Sequence, residues 1–234
     1  KDLTAGSRAA GFQFVGNQNK TNVGAGSSVF GPESECINLG ASASEYGCIV
    51  KFSSASTDLY SEWDSEQNNL YPIFIADYKD AVAELEGLGF IVQHMGVMFG
   101  QGEKDAKFDM SGSGAASYYQ TKQQKLVDNM RIDLGLPNLP IMLTTISHGV
   151  TETYAYEADV NTAKTNVAAA TAGVSLIDSS AYTFNVDDIH YDGASQILQG
   201  AALYAGAVGT ETTGVGTPAV DFDGVDDILG FTAL

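Results

Sequence analysis

The chain has 234 residues, of which 44% are hydrophobic and 17% charged, a composition that supports one large globular domain or two small ones. It carries 29 Asp and Glu residues against 11 Lys and Arg residues, a formal net charge of −18. So few cations argue against a nucleic-acid partner and against an anionic membrane surface, and they favour a neutral substrate such as a sugar.

The beginning of the chain says little about the fold. Residues 1–30 are rich in Gly, Asn and Ser and contain one short strand candidate at 12–15. The opening KDLTAGSRAAG has neither an initiator Met nor the apolar core of a signal peptide, so we expect a processed or excised piece. Cys36 and Cys48 either pair or are both buried thiols, and two cysteines do not decide the redox compartment.

From residue 46 onward, short apolar stretches alternate with longer stretches of helical spacing. The predicted strands are 46–52, 90–99, 139–146 and 174–180, and the predicted helices are 70–87, 115–135, 156–173 and 192–209. In the first helix the positions expected to face the core are Ile75, Tyr78, Ala81, Val82 and Leu85.

This alternation predicts an α/β fold with a parallel sheet and helices on both faces. The strands are apolar throughout, as expected where both faces of a sheet are covered. In such sheets the ligand lies beyond the carboxyl ends of the strands. Gln101, Gly102 and Glu103 follow the strand 90–99 directly, so we expect them at the ligand-binding edge.

The stretch NVDDIHYDGASQ, residues 185–196, precedes the last predicted helix. Asp187 and His190 stand three residues apart, and on a loop or first helical turn a carboxylate at that spacing can hold the imidazole. This would be the base half of a Ser-His-Asp arrangement. The spacing alone favours a simpler interpretation, in which Asp187 caps the helix.

Five segments taken together resemble the SGNH hydrolases, and within them the sialate O-acetylesterase-like group that includes carbohydrate esterase family 6. The segments are VFGPESECINLGA, IVKFSSASTDLYSEW, GVMFGQGEKDA, LGLPNLPIML and DDIHYDGASQILQG. Their order and spacing follow that group over about residues 29–208. The resemblance implies a flavodoxin-like three-layer α/β/α sandwich with a parallel sheet, and hydrolysis of acetyl esters on sugars without a cofactor.

The resemblance also implies roles for individual residues. His190 and Asp187 match the catalytic pair, Gln101 would point an amide N–H into the oxyanion hole, and Glu103 would brace the loop or the histidine. Gly102 would lie against the substrate. Backbone donors would come from the turn 53–57.

The turn departs from the group, because Ala55-Ser56 stands where Gly-Gly is usual. Its backbone donors survive that change only if the turn needs no positive φ.

The group's nucleophilic serine lies in a Gly-Gln-Ser-Asn motif at the end of the first, central strand, and this chain shows no such motif. In one explanation Gly16-Asn17-Gln18-Asn19 is the corresponding turn, with Asn19 at the substrate and Gln18 in place of the serine, which makes a dead esterase. In the other, the first strand and its serine lie upstream of Lys1. Ser7 is a weaker third candidate, because no apolar strand precedes it.

We therefore predict an SGNH hydrolase-like domain at 1–209, which lacks its first strand if that strand lies upstream. Residues 210–234 form a Gly/Thr-rich acidic tail or the start of a following module, since AVDFDGVDDIL resembles the opening strand of laminin-G-like jelly rolls. The acidic turn Asp221–Asp227 is expected to be solvated rather than to bind calcium, and the three histidines have no metal-ligand spacing. No metal is expected.

Two functions remain open from the sequence. One is a serine O-acetylesterase that acts on acetylated polysaccharide. The other is an inactive module for glycan binding or for a structural role in a virus or phage particle, working beside other modules or chains. Both suggest an extracellular or virion-associated location.

Overall fold

A computed structural model describes the sheet, its helices and most connecting loops. The described residues are 32, 35–36, 39, 46–52, 54, 56–67, 69–112, 116–150, 153–185, 188, 190–209 and 227–233. The strand candidate at 12–15, the possible serine equivalents and the acidic turn before Asp227 lie outside them.

Strands and helices alternate along the chain as the sequence predicts. The strands are β1 (Tyr46–Ile49), β2 (Ile91–Phe99), β3 (Ile141–Thr144), β4 (Val174–Ile177) and β5 (Asp227–Ala233). The helices are α1 (Leu70–Gly87), α2 (Glu103–Lys107), α3 (Tyr118–Leu134), α4 (Glu157–Ala170) and α5 (Gly193–Gly209). α3 ends at Gly135, which takes the left-handed conformation with φ 71° that glycine adopts most readily.

The sheet is parallel throughout, with strand order β1-β5-β2-β3-β4. Side chains of consecutive strand residues point to opposite faces. Val97, Phe99 and Leu143 therefore join α1, α3 and α4 in the larger core cluster, whereas Met98 and Met142 join α5 in the smaller one. The protein is an α/β/α sandwich, which confirms the predicted fold class.

The last strand lies in the middle of the sheet. β5 pairs with β1 on one side and with β2 on the other, with a register irregularity between His94 and Gly96. Its residues, Asp227–Ala233, fall within the stretch 210–234 that was predicted as a tail or the start of a following module. Among the described residues β1 pairs with β5 alone, so β5 connects β1 to the rest of the sheet.

The cysteines and the single tryptophan occupy apolar surroundings. Cys36 and Cys48 are not joined by a disulfide, and burial raises the pKa of Cys48 to about 12. Trp63 is 2% exposed and packs edge-to-face on Phe52 and Phe99, so it is a core residue. In the described part of the chain, no helix combines the length and apolar character needed to cross a membrane.

The pairing of β5 leads to a first prediction. Gly230 faces Cys48 of β1 and His94 of β2, and proline there removes a ladder N–H and distorts the strand. We expect Gly230→Pro to lower the free energy of unfolding by about 3 kcal/mol and to speed amide hydrogen exchange in β1. Val150→Ala is the control, because Val150 is 97% exposed. Unchanged protection of β1 would contradict the placement of β5.

Candidate active site

A cleft of about 180 Å³ opens at the carboxyl ends of the strands, the edge predicted to bind a ligand. Its wall combines residues of β2, β3 and α5 with residues from the segments that connect the strands and helices. They are Pro32, Lys51, Met98, Gly100, Glu103, Thr144, Thr145, Tyr191, Gln196 and Gln199. The cleft therefore joins segments that are far apart in the sequence.

Gln101 follows the cleft residue Gly100, and its side chain is held within the protein. Its Nε2 donates to the Thr57 carbonyl at 2.9 Å and to the Asp105 carboxylate at 2.6 Å, and its Oε1 accepts from the Tyr119 hydroxyl at 3.1 Å. Both amide hydrogens are thus engaged. Gln101 ties the turn after β1 to the end of β2, and its oxyanion role stays a prediction that requires one of these hydrogens to be released.

Asp105 is the centre of this hydrogen-bond network. Its side chain is buried and accepts hydrogen bonds from the Leu59 amide at 3.0 Å, from the Tyr118 hydroxyl at 2.7 Å and from Gln101. Burial raises the pKa of Asp105, although these donors favour the charged form. One carboxylate therefore holds together the loop after β1, the end of β2 and the start of α3.

An ion-paired cluster supports the same loop from outside. Lys104 of α2 lies 2.8 Å from Asp58 and 2.9 Å from Glu62. Burial would raise the pKa of Asp58, but hydrogen bonds from Lys104 and Ser61 outweigh it and lower that pKa to about 2. Asp58 therefore remains charged at neutral pH and keeps α2 attached to the loop.

Gly102 belongs to the loop after β2 and is buried. Its φ is 146°, and a Cβ there would lie 2.5 Å from Ile146 Cδ1 and 2.9 Å from the Tyr119 hydroxyl. This close packing requires glycine. The substrate contact expected for Gly102 stays a prediction, and the contacts seen are with the protein core.

Lys164 of α4 is buried behind the same strand ends. Its ammonium donates to the carbonyls of Gln101 at 2.6 Å and Thr144 at 2.7 Å, and it lies 5.9 Å from the centre of the Tyr119 ring. Burial lowers the pKa of Lys164 to about 8. This lysine joins the ends of β2 and β3, the two strands that carry the middle of the cleft.

His190 lies on an exposed loop beside the cleft residue Tyr191. A bridge between Phe184 and Tyr191 closes this loop, and the His190 carbonyl accepts from the Asn185 amide at 2.8 Å. The Tyr191 hydroxyl lies 3.0 Å from Ser147 Oγ, which fastens the loop to the segment after β3. The fold thus carries His190 to the cleft side of the sheet.

The remaining predicted site residues are only partly described. Glu103, the first residue of α2, is exposed and lines the cleft. Ser56 is exposed and has φ 57°. The turn therefore does adopt a positive φ, so the condition for keeping its backbone donors after the loss of Gly-Gly is not met. Asp187, Ala55 and Asn19 lie outside the described residues, so their roles stay predictions.

The other two histidines have protein partners. Nδ1 of His94 lies 2.6 Å from the Tyr78 hydroxyl, so this histidine is hydrogen-bonded within β2. Nδ1 of His148 pairs with Glu157, and its ring packs 4.7 Å from that of Tyr154. No group of three His, Cys, Asp or Glu residues within the described ranges could hold a metal ion.

Several residues of the site received no role from the sequence. Tyr191, Gln196 and Gln199 stand in the quoted segment around His190 but carry no recognisable spacing signal. Lys164 did leave a signal, since it falls on the apolar stripe of α4 beside Val160, where a charged residue is rare unless it has buried partners.

Fold and cleft together define an α/β/α protein of the kind that places its chemistry at the carboxyl edge of a parallel sheet. Over residues 13–208 the chain matches the family described as "Carbohydrate esterase, sialic acid-specific acetylesterase". The chain belongs to this family of carbohydrate esterases, and the resemblance drawn from the sequence is confirmed.

Comparison with solved structures supports the fold. An X-ray structure of a protein from Arabidopsis thaliana is similar with a TM-score of 0.53 and 23% sequence identity, covering 65% of this chain and 57% of that chain. This chain therefore spans less than two thirds of the plant protein's length. No curated protein sequence matches the chain significantly.

The burial of Lys164 predicts a pH-dependent stability difference. Because its pKa in the folded state, about 8, lies below the ordinary value near 10.4, the unfolded chain binds more protons between these limits and stability rises with pH there. Between pH 8 and pH 10.5, we expect the free energy of unfolding of the wild type to rise by about 3 kcal/mol more than that of Lys164→Met. Urea unfolding of both proteins at each pH measures the difference in stability. A difference that does not change with pH would contradict the prediction.

The backbone of Ser56 predicts a stabilising substitution. A left-handed φ costs a non-glycine residue about 1–2 kcal/mol. Glycine avoids this cost, but it also makes the unfolded chain more flexible, which offsets part of the gain in stability. Ser56→Gly should therefore raise the free energy of unfolding by about 0.5–1 kcal/mol. A thermal melt against the wild type measures it, with Ser117→Gly as control since Ser117 has φ −62°. Equal losses in both variants would show that the turn is unstrained.

Proposed function

We propose that this chain is a carbohydrate O-acetylesterase domain that removes acetyl groups from polysaccharide by a Ser-His-Asp mechanism. The observation that carries the proposal is the cleft at the carboxyl edge, in a member of a carbohydrate esterase family, with Glu103 on its wall and His190 on the adjoining loop. A secreted or particle-bound location agrees with such a substrate and is part of the proposal.

In this mechanism His190 is the base. Its imidazole would take the proton of a serine hydroxyl as the serine oxygen attacks the acetyl carbonyl, and would return the proton to the departing sugar oxygen. Water then releases acetate in a second, equivalent step. Asp187 would hold the imidazole in the required tautomer, and a Gln101 amide hydrogen, once released from Thr57 or Asp105, would stabilise the oxyanion by about 3–4 kcal/mol.

The serine would come from polypeptide upstream of Lys1. The resemblance puts it at the end of a central strand, and the centre of this sheet is occupied by β5, whose Ala233 pairs with Met98 on the cleft wall. Whichever strand occupies that position directs the residue after it toward the cleft.

A specific observation favours the inactive alternative. Both amide hydrogens of Gln101 are held by Thr57 and Asp105, an arrangement that braces the loop without serving an oxyanion. Combined with glutamine at position 18, this fits an esterase fold kept for glycan binding or as a structural part of a particle.

The esterase proposal is tested by the hydrolysis of p-nitrophenyl acetate and acetylated xylan by the protein with its upstream segment. We expect His190→Ala to lower kcat/KM by at least about 10²-fold, as expected for loss of a general base. His94→Gln is the matched control, since His94 lies in the middle of β2 and bonds to Tyr78.

Equal rates for the wild type and His190→Ala would rule out the assigned base. A fluorophosphonate probe separates the two functions, because it labels a serine only if a nucleophile is activated. Failure to label the protein with its upstream segment would favour the non-catalytic module.

A further inference from the structure

Two glutamines one turn apart on α5 face the cleft. Gln196 and Gln199 stand three positions apart, which places their side chains on the same side of a helix. Both line the cleft wall. Gln199 is only 5% exposed. The first two turns of α5 therefore present side-chain amides to an enclosed space.

These amides lack protein partners. Oε1 of Gln196 is buried without a hydrogen bond, and the Gln199 side chain makes none within the part of the chain that the structure describes. An unsatisfied buried polar atom costs about 1–3 kcal/mol, and on the wall of a cleft a bound ligand can supply the missing partner.

The other hydroxyl groups of the cleft are already engaged. Thr145 Oγ1 lies 2.9 Å from Ser179 Oγ, and the Tyr191 hydroxyl lies 3.0 Å from Ser147 Oγ. Beside the exposed carboxylate of Glu103, the two amides give this wall uncharged polar groups with bonding capacity to spare. An amide both donates and accepts without carrying charge, which matches the hydroxyl groups of a neutral sugar.

We propose that Gln196 and Gln199 form a binding subsite for the hydroxyl groups of an uncharged sugar ring. A cleft of about 180 Å³ is smaller than a pocket for a drug-sized molecule, so it takes one ring and leaves the rest of a chain outside. The inference rests on the proposed function of the cleft as the place where the sugar ester binds.

The test combines binding with stability. Xylotriose is titrated into the wild type, Gln196→Leu and Gln199→Leu by calorimetry, and the free energy of unfolding of each is measured in urea. We expect each substitution to weaken xylotriose binding about tenfold or more, while stability stays equal or rises because an unpaired buried amide has been removed. Gain of stability with loss of binding is the pattern of a ligand-binding residue.

Gln123 of α3 provides a matched control. It is fully buried, and both polar atoms of its side chain lack partners, but it lies on α3, away from the cleft wall. Gln123→Leu should therefore leave xylotriose binding unchanged and should not lower stability.

Three outcomes would overturn the inference. The first is a wild type that does not bind xylotriose, and the second is leucine variants that bind it as well as the wild type. The third is leucine variants that keep binding but lose stability, a result that would assign the amides to bonds with internal water. Tighter binding of N-acetylneuraminic acid than of xylotriose would overturn the uncharged class of sugar. Hydrolysis of p-nitrophenyl acetate, which carries no sugar, tests the esterase function separately, so either proposal can fail alone.

Discussion

The buried carboxylate of Asp105 is the interaction on which the candidate site depends. It accepts hydrogen bonds from the Leu59 amide, the Tyr118 hydroxyl and the Gln101 side chain, which belong to three separate segments. A charge that is buried without a directly paired cation persists only when its oxygens are bonded. The loop after β1, the end of β2 and the start of α3 must therefore adopt one mutual arrangement, and it holds the segment that carries the cleft residues Gly100 and Glu103.

The strand ends at the cleft are also held by bonds to backbone carbonyls and amides. Lys164 bonds to the Gln101 carbonyl, two residues after β2, and to the carbonyl of Thr144, the last residue of β3. The Asn161 amide forms a two-point contact with the backbone of Ile146 at 2.7 and 2.9 Å. Both residues belong to α4. The helix thus acts as a rigid support behind the strand ends, which explains how short strands such as β3, with four residues, can present side chains in fixed positions.

The sequence predicted the alternation of strands and helices because hydrophobic periodicity and glycine stops are local signals, as at Gly87 and Gly135. It did not predict the place of β5, because strand order depends on long-range pairing that leaves no local pattern. Gln101 was recognised as a site residue, but its bonds to Thr57 and Asp105 could not be read from the motif. Gln196 and Gln199 carry no signal, since an unpaired amide is visible only once its surroundings are known.

The central position of β5 has a consequence for how the molecule forms. β1 begins at residue 46 and its neighbour β5 at residue 227, so the contact that completes the sheet joins distant parts of the chain. Contacts of such long sequence separation slow folding, because the loop must close before the pairing can stabilise it. During synthesis the ribosome makes β5 after every other described strand. Until then β1 has no neighbour among the described strands and one edge of β2 is open to them, and the nascent chain is most exposed to mispairing with other polypeptides at that stage.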